Sequence, residues 1–208
     1  NININFDYII ITTGCSEAIV FALTTLMNPD DELIIPEPFY TNYNGLSVQT
    51  SVKIVPITST IEDNFALPSI EKFEALITPK TKAIMICNPS NPTGYVYSKK
   101  ELEALRDLVL KHDLFLLSDE VYREFVYEGS TYHSVMELEG IEDRTVLLDS
   151  VSKRYSACGA RVGALISKNK EIISTVLKLG QARLCAPTIE QIAAEQAIDT
   201  PDTYFEEV

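Results

Sequence analysis

A lysine stands in the run Ser150-Val-Ser152-Lys153-Arg-Tyr-Ser-Ala-Cys-Gly-Ala-Arg161-Val-Gly, just after the apolar stretch Thr145-Val-Leu-Leu148. Its neighbours are hydroxyls and a guanidinium, the groups that hold a phosphate. An amine beside such a grip can condense with the aldehyde of a phosphorylated cofactor as a Schiff base, while serine and Arg161 hold the anion. The same residues also fit a surface lysine after a strand, with Arg161 on a helix or an edge.

Three other polar clusters follow apolar runs. Gly14-Cys15-Ser16 closes the run Tyr8-Ile-Ile-Ile-Thr12 and opens a helical pattern, so backbone amides and the Ser16 hydroxyl can face an anion. A plain serine cap would look the same. The turn is neither a Walker loop nor the three-glycine dinucleotide fingerprint. Asn88-Pro-Ser-Asn91-Pro-Thr-Gly94 reads as a rigid loop in which Asn91 offers neutral polar contacts. In Ser118-Asp119-Glu-Val-Tyr122, Asp119 can hold a positively charged ring nitrogen, with Tyr122 one helical turn later. Asp119 as a helix cap is the simpler alternative. Taken together, the four clusters share one requirement: a flat cationic ring bearing a phosphate and an aldehyde.

The elements that must position these groups alternate along the chain. Short β-branched runs predict strands over 8–12, 32–35, 51–55, 81–87, 114–117, 145–148 and 162–166. Helical spacing covers 16–27, 39–50, 68–77, 99–112, 168–183 and 187–199, and Ser98 with Glu101 forms a capping box before the fourth of these. Such alternation implies an α/β three-layer sandwich around a mostly parallel, seven-stranded sheet. Ligands bind such sheets beyond the carboxyl ends of the strands, where the four clusters lie. Residues 1–183 form one domain in this reading, and 184–208 a helical continuation toward a second.

The 208 residues carry 17 basic and 30 acidic side chains, a net charge of -13, which argues against a nucleic-acid partner. No apolar run reaches the roughly 20 residues needed to span a bilayer. The first residues carry no secretion signal and no methionine, as expected of a piece of a longer cytoplasmic protein. Spacing leaves disulfide or zinc use open for Cys15, Cys87, Cys158 and Cys185, but buried free thiols fit a cytoplasmic chain better. His112 and His133 lack metal-ligand spacing, and no metal site is expected.

Five ordered stretches resemble the class I/II aminotransferases, the pyridoxal-phosphate family with the aspartate-aminotransferase fold. They are Thr12-Thr-Gly-Cys-Ser-Glu-Ala-Ile19, Pro36-Glu-Pro-Phe-Tyr40-Thr-Asn-Tyr43, Asn88 to Gly94, Ser118 to Tyr122, and Ser150 to Gly163. The resemblance implies the large, cofactor-binding domain of fold type I, with pyridoxal 5'-phosphate tethered to Lys153, which later moves protons. It places Asp119 at the pyridine nitrogen, Asn91 and Tyr122 at the ring oxygen, and Tyr40 stacked on the ring. Phosphate contacts fall to Cys15 (through its backbone amide), Ser16, Ser150, Ser152 and Arg161. The implied reaction exchanges an amino group between an L-amino acid and a 2-oxo acid, aspartate with 2-oxoglutarate first, in a homodimer. A β-lyase on the same fold and the cofactor-binding domain of a transcriptional regulator are the alternatives. Family members are about twice this length, and the arginine for the substrate carboxylate lies elsewhere in them. On this reading the 208 residues alone make a poor catalyst.

Overall fold

The computed structural model describes residues 2–127 and 129–207. Its strands are β1 (Ile9–Thr12), β2 (Glu32–Glu37), β3 (Lys53–Thr58), β4 (Thr81–Cys87), β5 (Phe115–Asp119), β6 (Thr145–Ser150) and β7 (Gly163–Ile166). Helices α1 (Gly14–Leu26), α2 (Asn42–Thr50), α3 (Ile70–Leu76) and α4 (Lys99–His112) fill the first half. After them come α5 (Val151–Arg154), α6 (Lys170–Arg183), α7 (Thr188–Gln196) and α8 (Asp202–Glu207).

The seven strands form one sheet in the order β1-β7-β6-β5-β4-β2-β3. Every pairing from β3 to β6 is parallel, whereas β7 runs antiparallel to both β6 and β1. The link from β6 to β7 explains the reversal. It holds only the single turn of α5 and a short 3-10 turn, Cys158–Ala160, too little to form a covering crossover helix.

Strand alternation divides the core in two. Along β4, Ala83 and Met85 pack with α1, α2 and α6, whereas Ile84 and Ile86 pack with α3 and α4. In β2, Leu33 and Ile35 face the first layer and Ile34 the second. These central residues are at most 1% exposed, and burying each leucine, isoleucine or methionine among them contributes on the order of 1.5–3 kcal/mol before entropy is counted. On α4, Leu102, Leu105, Leu108 and Val109 make the buried stripe. Ser98 and Glu101 close its amino end as a capping box, and Asp113 in the left-handed region ends it.

Four sequence expectations need correction. The helix expected over 39–50 begins at Asn42, so Tyr40 lies in the preceding loop. No helix follows Asp119, which ends β5 and leads into a turn over 121–124, so it caps nothing. The helix expected over 187–199 stops at Gln196, passes through the 3-10 turn Ala197–Asp199, and gives way to α8. Finally, not all the free thiols are buried: Cys158 and Cys185 are exposed and Cys15 is half-buried. Among the described residues, no helix is long and apolar enough to cross a membrane.

Candidate active site

Every residue that the sequence assigns to the cofactor lines one cavity of about 190 Å³: Cys15, Ser16, Tyr40, Asn91, Asp119, Tyr122, Ser150, Ser152, Lys153 and Arg161. The cavity opens where β1, β4, β5 and β6 end and where the chain enters β7. Because β7 is antiparallel, Arg161 reaches this rim from before its strand while the others arrive from after theirs.

The anion-holding side is built on two glycines. Gly14 has φ +75, and a Cβ there would lie 2.0 Å from Nη2 of Arg161, so the guanidinium folds directly over its backbone. Gly163 pairs with Thr12 on one side and Ser150 on the other, and a Cβ there would lie 2.5 Å from the carbonyl carbon of Gly14. Arg161, itself at φ 53, donates to the Cys158 carbonyl at 2.8 Å and the Thr13 carbonyl at 3.4 Å. Thr13 provides no side-chain cap for α1, so the amides of its first turn remain open to an anion beside the Ser16 hydroxyl. Across the rim, Ser150 caps α5 by accepting from the Ser152 amide at 3.3 Å.

The carboxylate side is at β5. Asp119 is 4% exposed. Its Oδ2 accepts from the Tyr43 hydroxyl at 2.8 Å, and its Oδ1 accepts from the Val121 amide at 3.3 Å and the Cys15 thiol at 3.7 Å. Burial pushes its pKa up to about 6, and these donors, Tyr43 foremost, limit the rise. Burial also raises the thiol of Cys15 and the phenol of Tyr43, and the Asp119 charge adds to both, so they stay protonated as donors.

Between the two sides lie the amine and the phenol. Lys153 Nζ sits 5.6 Å from the centroid of the Tyr122 ring. The Tyr122 hydroxyl accepts from Asn91 Nδ2 at 3.1 Å. Burial raises the Tyr122 phenol and the Lys153 charge pulls it partly back. Tyr40 stands at the mouth, edge-on to Tyr43 with ring centroids 5.5 Å apart. An anion grip, an amine, a neutral hydrogen-bonding pair and a buried carboxylate thus face one space. They match a planar ring that carries a phosphate, an aldehyde, an oxygen and a protonated nitrogen.

Sequence reasoning assigned no role to Tyr43, Cys87 or Gly163. Tyr43 follows Tyr40 by three residues at a helix start, the spacing that brings side chains together. Cys87 ends β4, a position the strand-end rule marks. Glycine as the first residue of a strand signals close backbone approach.

The family described as aminotransferase class I and II matches residues 1–208. The asparagine–oxo-acid transaminase of Streptococcus mutans is 37% identical over 193 residues, covering 91% of this chain and 48% of that protein. The aromatic-amino-acid aminotransferase 2 of Thermococcus litoralis is 35% identical over 190 residues, covering 91% and 49%. Among solved structures, the aspartate aminotransferase of Thermotoga maritima superposes with a TM-score of 0.90 at 33% identity, over 96% of this chain and 53% of that one. The chain spans about half the length of the curated relatives it matches.

Proposed function

The chain belongs to the class I and II aminotransferase family, and we propose that its residues 1–183 form the cofactor-binding domain of an enzyme moving an amino group between an L-amino acid and a 2-oxo acid. Residues 184–208 lead toward a second domain in this reading. The family's cofactor, pyridoxal 5'-phosphate, supplies when bound an aldehyde carbon for an amine and a cationic ring that withdraws electrons from the substrate α-carbon. The observation that carries the proposal is the convergence of Lys153, Asp119, Tyr122 and Arg161 on one cavity.

Each residue has a task set by its surroundings. Arg161, the α1 amides and the hydroxyls of Ser16, Ser150 and Ser152 hold the phosphate. Only glycine at 14 and 163 lets that grip close. Asp119, ionised above about pH 6, holds the proton on the ring nitrogen. Asn91 and Tyr122 would donate to the ring oxygen, and Tyr40 would pack on the ring. Lys153 Nζ would hold the aldehyde end of the cofactor and, when free, would take the proton from the substrate α-carbon as a general base.

Aspartate with 2-oxoglutarate is the pair we favour, because aspartate aminotransferases recur among the relatives. The working unit is a cytoplasmic homodimer in this reading. Borohydride reduction of the protein with pyridoxal 5'-phosphate, followed by peptide mass mapping, tests the assignment. A phosphopyridoxyl group on Lys153 is expected. Labelling only at other lysines would overturn it. Turnover of aspartate compared with asparagine and aromatic donors then tests the substrate.

A further inference from the structure

Four charged groups cross-connect the segments that carry Tyr122 and Lys153. Arg123 pairs through Nη1 with Asp149 Oδ2. Its Nε lies 3.7 Å from Glu124 Oε1, and the same oxygen accepts Nη2 of Arg154 at 2.6 Å. The run is therefore Asp149, Arg123, Glu124, Arg154, with alternating sign. Three of the four adjoin a site residue: Asp149 precedes Ser150, Arg123 follows Tyr122, and Arg154 follows Lys153.

The location of this ladder gives it a task that ordinary surface pairs lack. The registered pairing of β5 with β6 ends at Asp119 and Leu148, and one further backbone bond, Glu120 to Leu148, continues it. Beyond that point the two chains diverge. One enters the turn over 121–124, and the other enters α5, which is a single turn long. Asp149 and Ser150 stay paired with β7, but among the described residues no backbone bond joins the turn to α5. The ladder ties the two together past the last β5–β6 backbone bond. Its side chains are only 16% to 32% exposed, so the pairs are weakly screened compared with surface pairs. Arg154 lies with its guanidinium 5.5 Å from the Tyr155 ring, and its buried Nε finds no acceptor among the described residues. A buried donor left unmet is costly, so something else must hold this side chain in place. Glu124 is that partner.

We infer that Arg123, Glu124, Arg154 and Asp149 are positioning residues, a ladder that sets the separation between the Tyr122 phenol and the Lys153 amine. The inference rests on the aminotransferase reading above. Misplacing a reacting group by about 1 Å is enough to slow a reaction by up to 10²-fold, so the ladder governs how fast Lys153 captures an aldehyde.

The test uses the purified protein stripped of cofactor, with Glu124→Gln, Arg154→Gln, Arg154→Lys and the double glutamine variant. Pyridoxal 5'-phosphate is added and the rise of its lysine-bound absorbance gives the capture rate. Borohydride mapping gives the stoichiometry at Lys153, and a thermal midpoint serves as the structural control. Each single glutamine variant should capture about tenfold more slowly, and the double variant no more slowly than Glu124→Gln, because Glu124→Gln already removes the contact that Arg154→Gln removes. Arg154→Lys keeps the charge and should stay within about threefold of the parent. Final labelling at Lys153 should be unchanged throughout. Variant rates equal to the parent's would overturn the ladder, as would losses that multiply in the double variant or that simply track the thermal midpoint. A parent protein unlabelled at Lys153 would instead overturn the aminotransferase reading, and this inference with it.

Discussion

Asp119 and Glu120 are adjacent, both buried, and differ by one methylene, yet they sit in regions of opposite character. Alternation at the end of β5 turns them to different sides. Glu120 is enclosed: Tyr132 and Ser134 hydroxyls donate to Oε2, the latter at 2.8 Å, and the Val135 amide donates to Oε1 at 3.0 Å. Asp119 borders the cavity, and one of its donors is a thiol at 3.7 Å, a weak partner that leaves acceptor capacity on the open side. Burial raises both, Asp119 to about 6 and Glu120 to about 7. A displaced pKa therefore fails to tell the two apart. What separates them is whether unused lone pairs face a space that a ligand can enter.

The sharpest way to break this contrast is to delete each carboxylate in turn. Asp119→Ala should keep the borohydride-reducible adduct on Lys153 while turnover falls about 10²- to 10³-fold, equivalent to roughly 2.7–4 kcal/mol of transition-state stabilisation. Turnover near the parent's at saturating cofactor would remove Asp119 from the chemistry. Glu120→Ala should do the reverse. Tyr132, Ser134 and the Val135 amide lose their acceptor, so urea unfolding should report a loss of about 2–3 kcal/mol with the cofactor affinity nearly kept.

Stability against pH gives a smaller signal. The folded chain holds protons on both carboxyls more tightly than the unfolded chain, so their contribution grows as pH falls. For Glu120 the window runs from about 7 down to the ordinary 4.5, and for Asp119 from about 6 down to 3.8. Within it each group adds up to about 1.4 kcal/mol per pH unit. The difference in unfolding free energy between the parent and Glu120→Gln should therefore change steadily from pH 7 to 4.5 in favour of the parent. A flat difference would mean that Glu120 is not buried as described.

Two milder changes rank the donors to Asp119. Tyr43→Phe removes the 2.8 Å bond and should cost about 1–1.5 kcal/mol in activation free energy, with the acid limb of the pH profile moving up because the ionised form loses support. Cys15→Ala should stay within about twofold, as befits a long thiol contact. An effect of Cys15→Ala larger than that of Tyr43→Phe would reverse the ranking.

Much of this arrangement was legible in the sequence because strong local signals coincide with the architecture. The runs at 81–87 and 145–148 are too apolar to be anything but central strands, and the polar clusters after them mark the rim. Lys153, Asp119 and Arg161 carry charges that have few other uses at strand ends. Less accessible was whatever depends on strand direction or on contacts between distant segments. The residues Val162 to Ile166 read the same in either orientation, so the antiparallel course of β7 was hidden. Tyr43 looked like one of several aromatics at the start of a helix, because its bond to Asp119 joins residues 76 apart. The turn after Asp119 was less legible still, because Glu-Val-Tyr-Arg-Glu has no breaker and leaves a helical turn with Asp119 as its cap open, whereas Arg123 and Glu124 tie the segment to Asp149 and Arg154.

The position of β1 at the sheet margin also bears on how the chain assembles. Its strand partner among the described residues, β7, is made about 150 residues later, and Thr12 meets Gly163 only then. During synthesis, therefore, the first strand has an unpaired backbone and its following loop has no guanidinium over it. Parallel strands β2 to β6 can accumulate one after another with near neighbours, whereas closing this margin carries the largest loop entropy in the sheet. The anion grip should be the last part of the cavity to become ordered on the ribosome, and a nascent chain released before residue 166 would leave β6 as an added open edge and β1 unpaired.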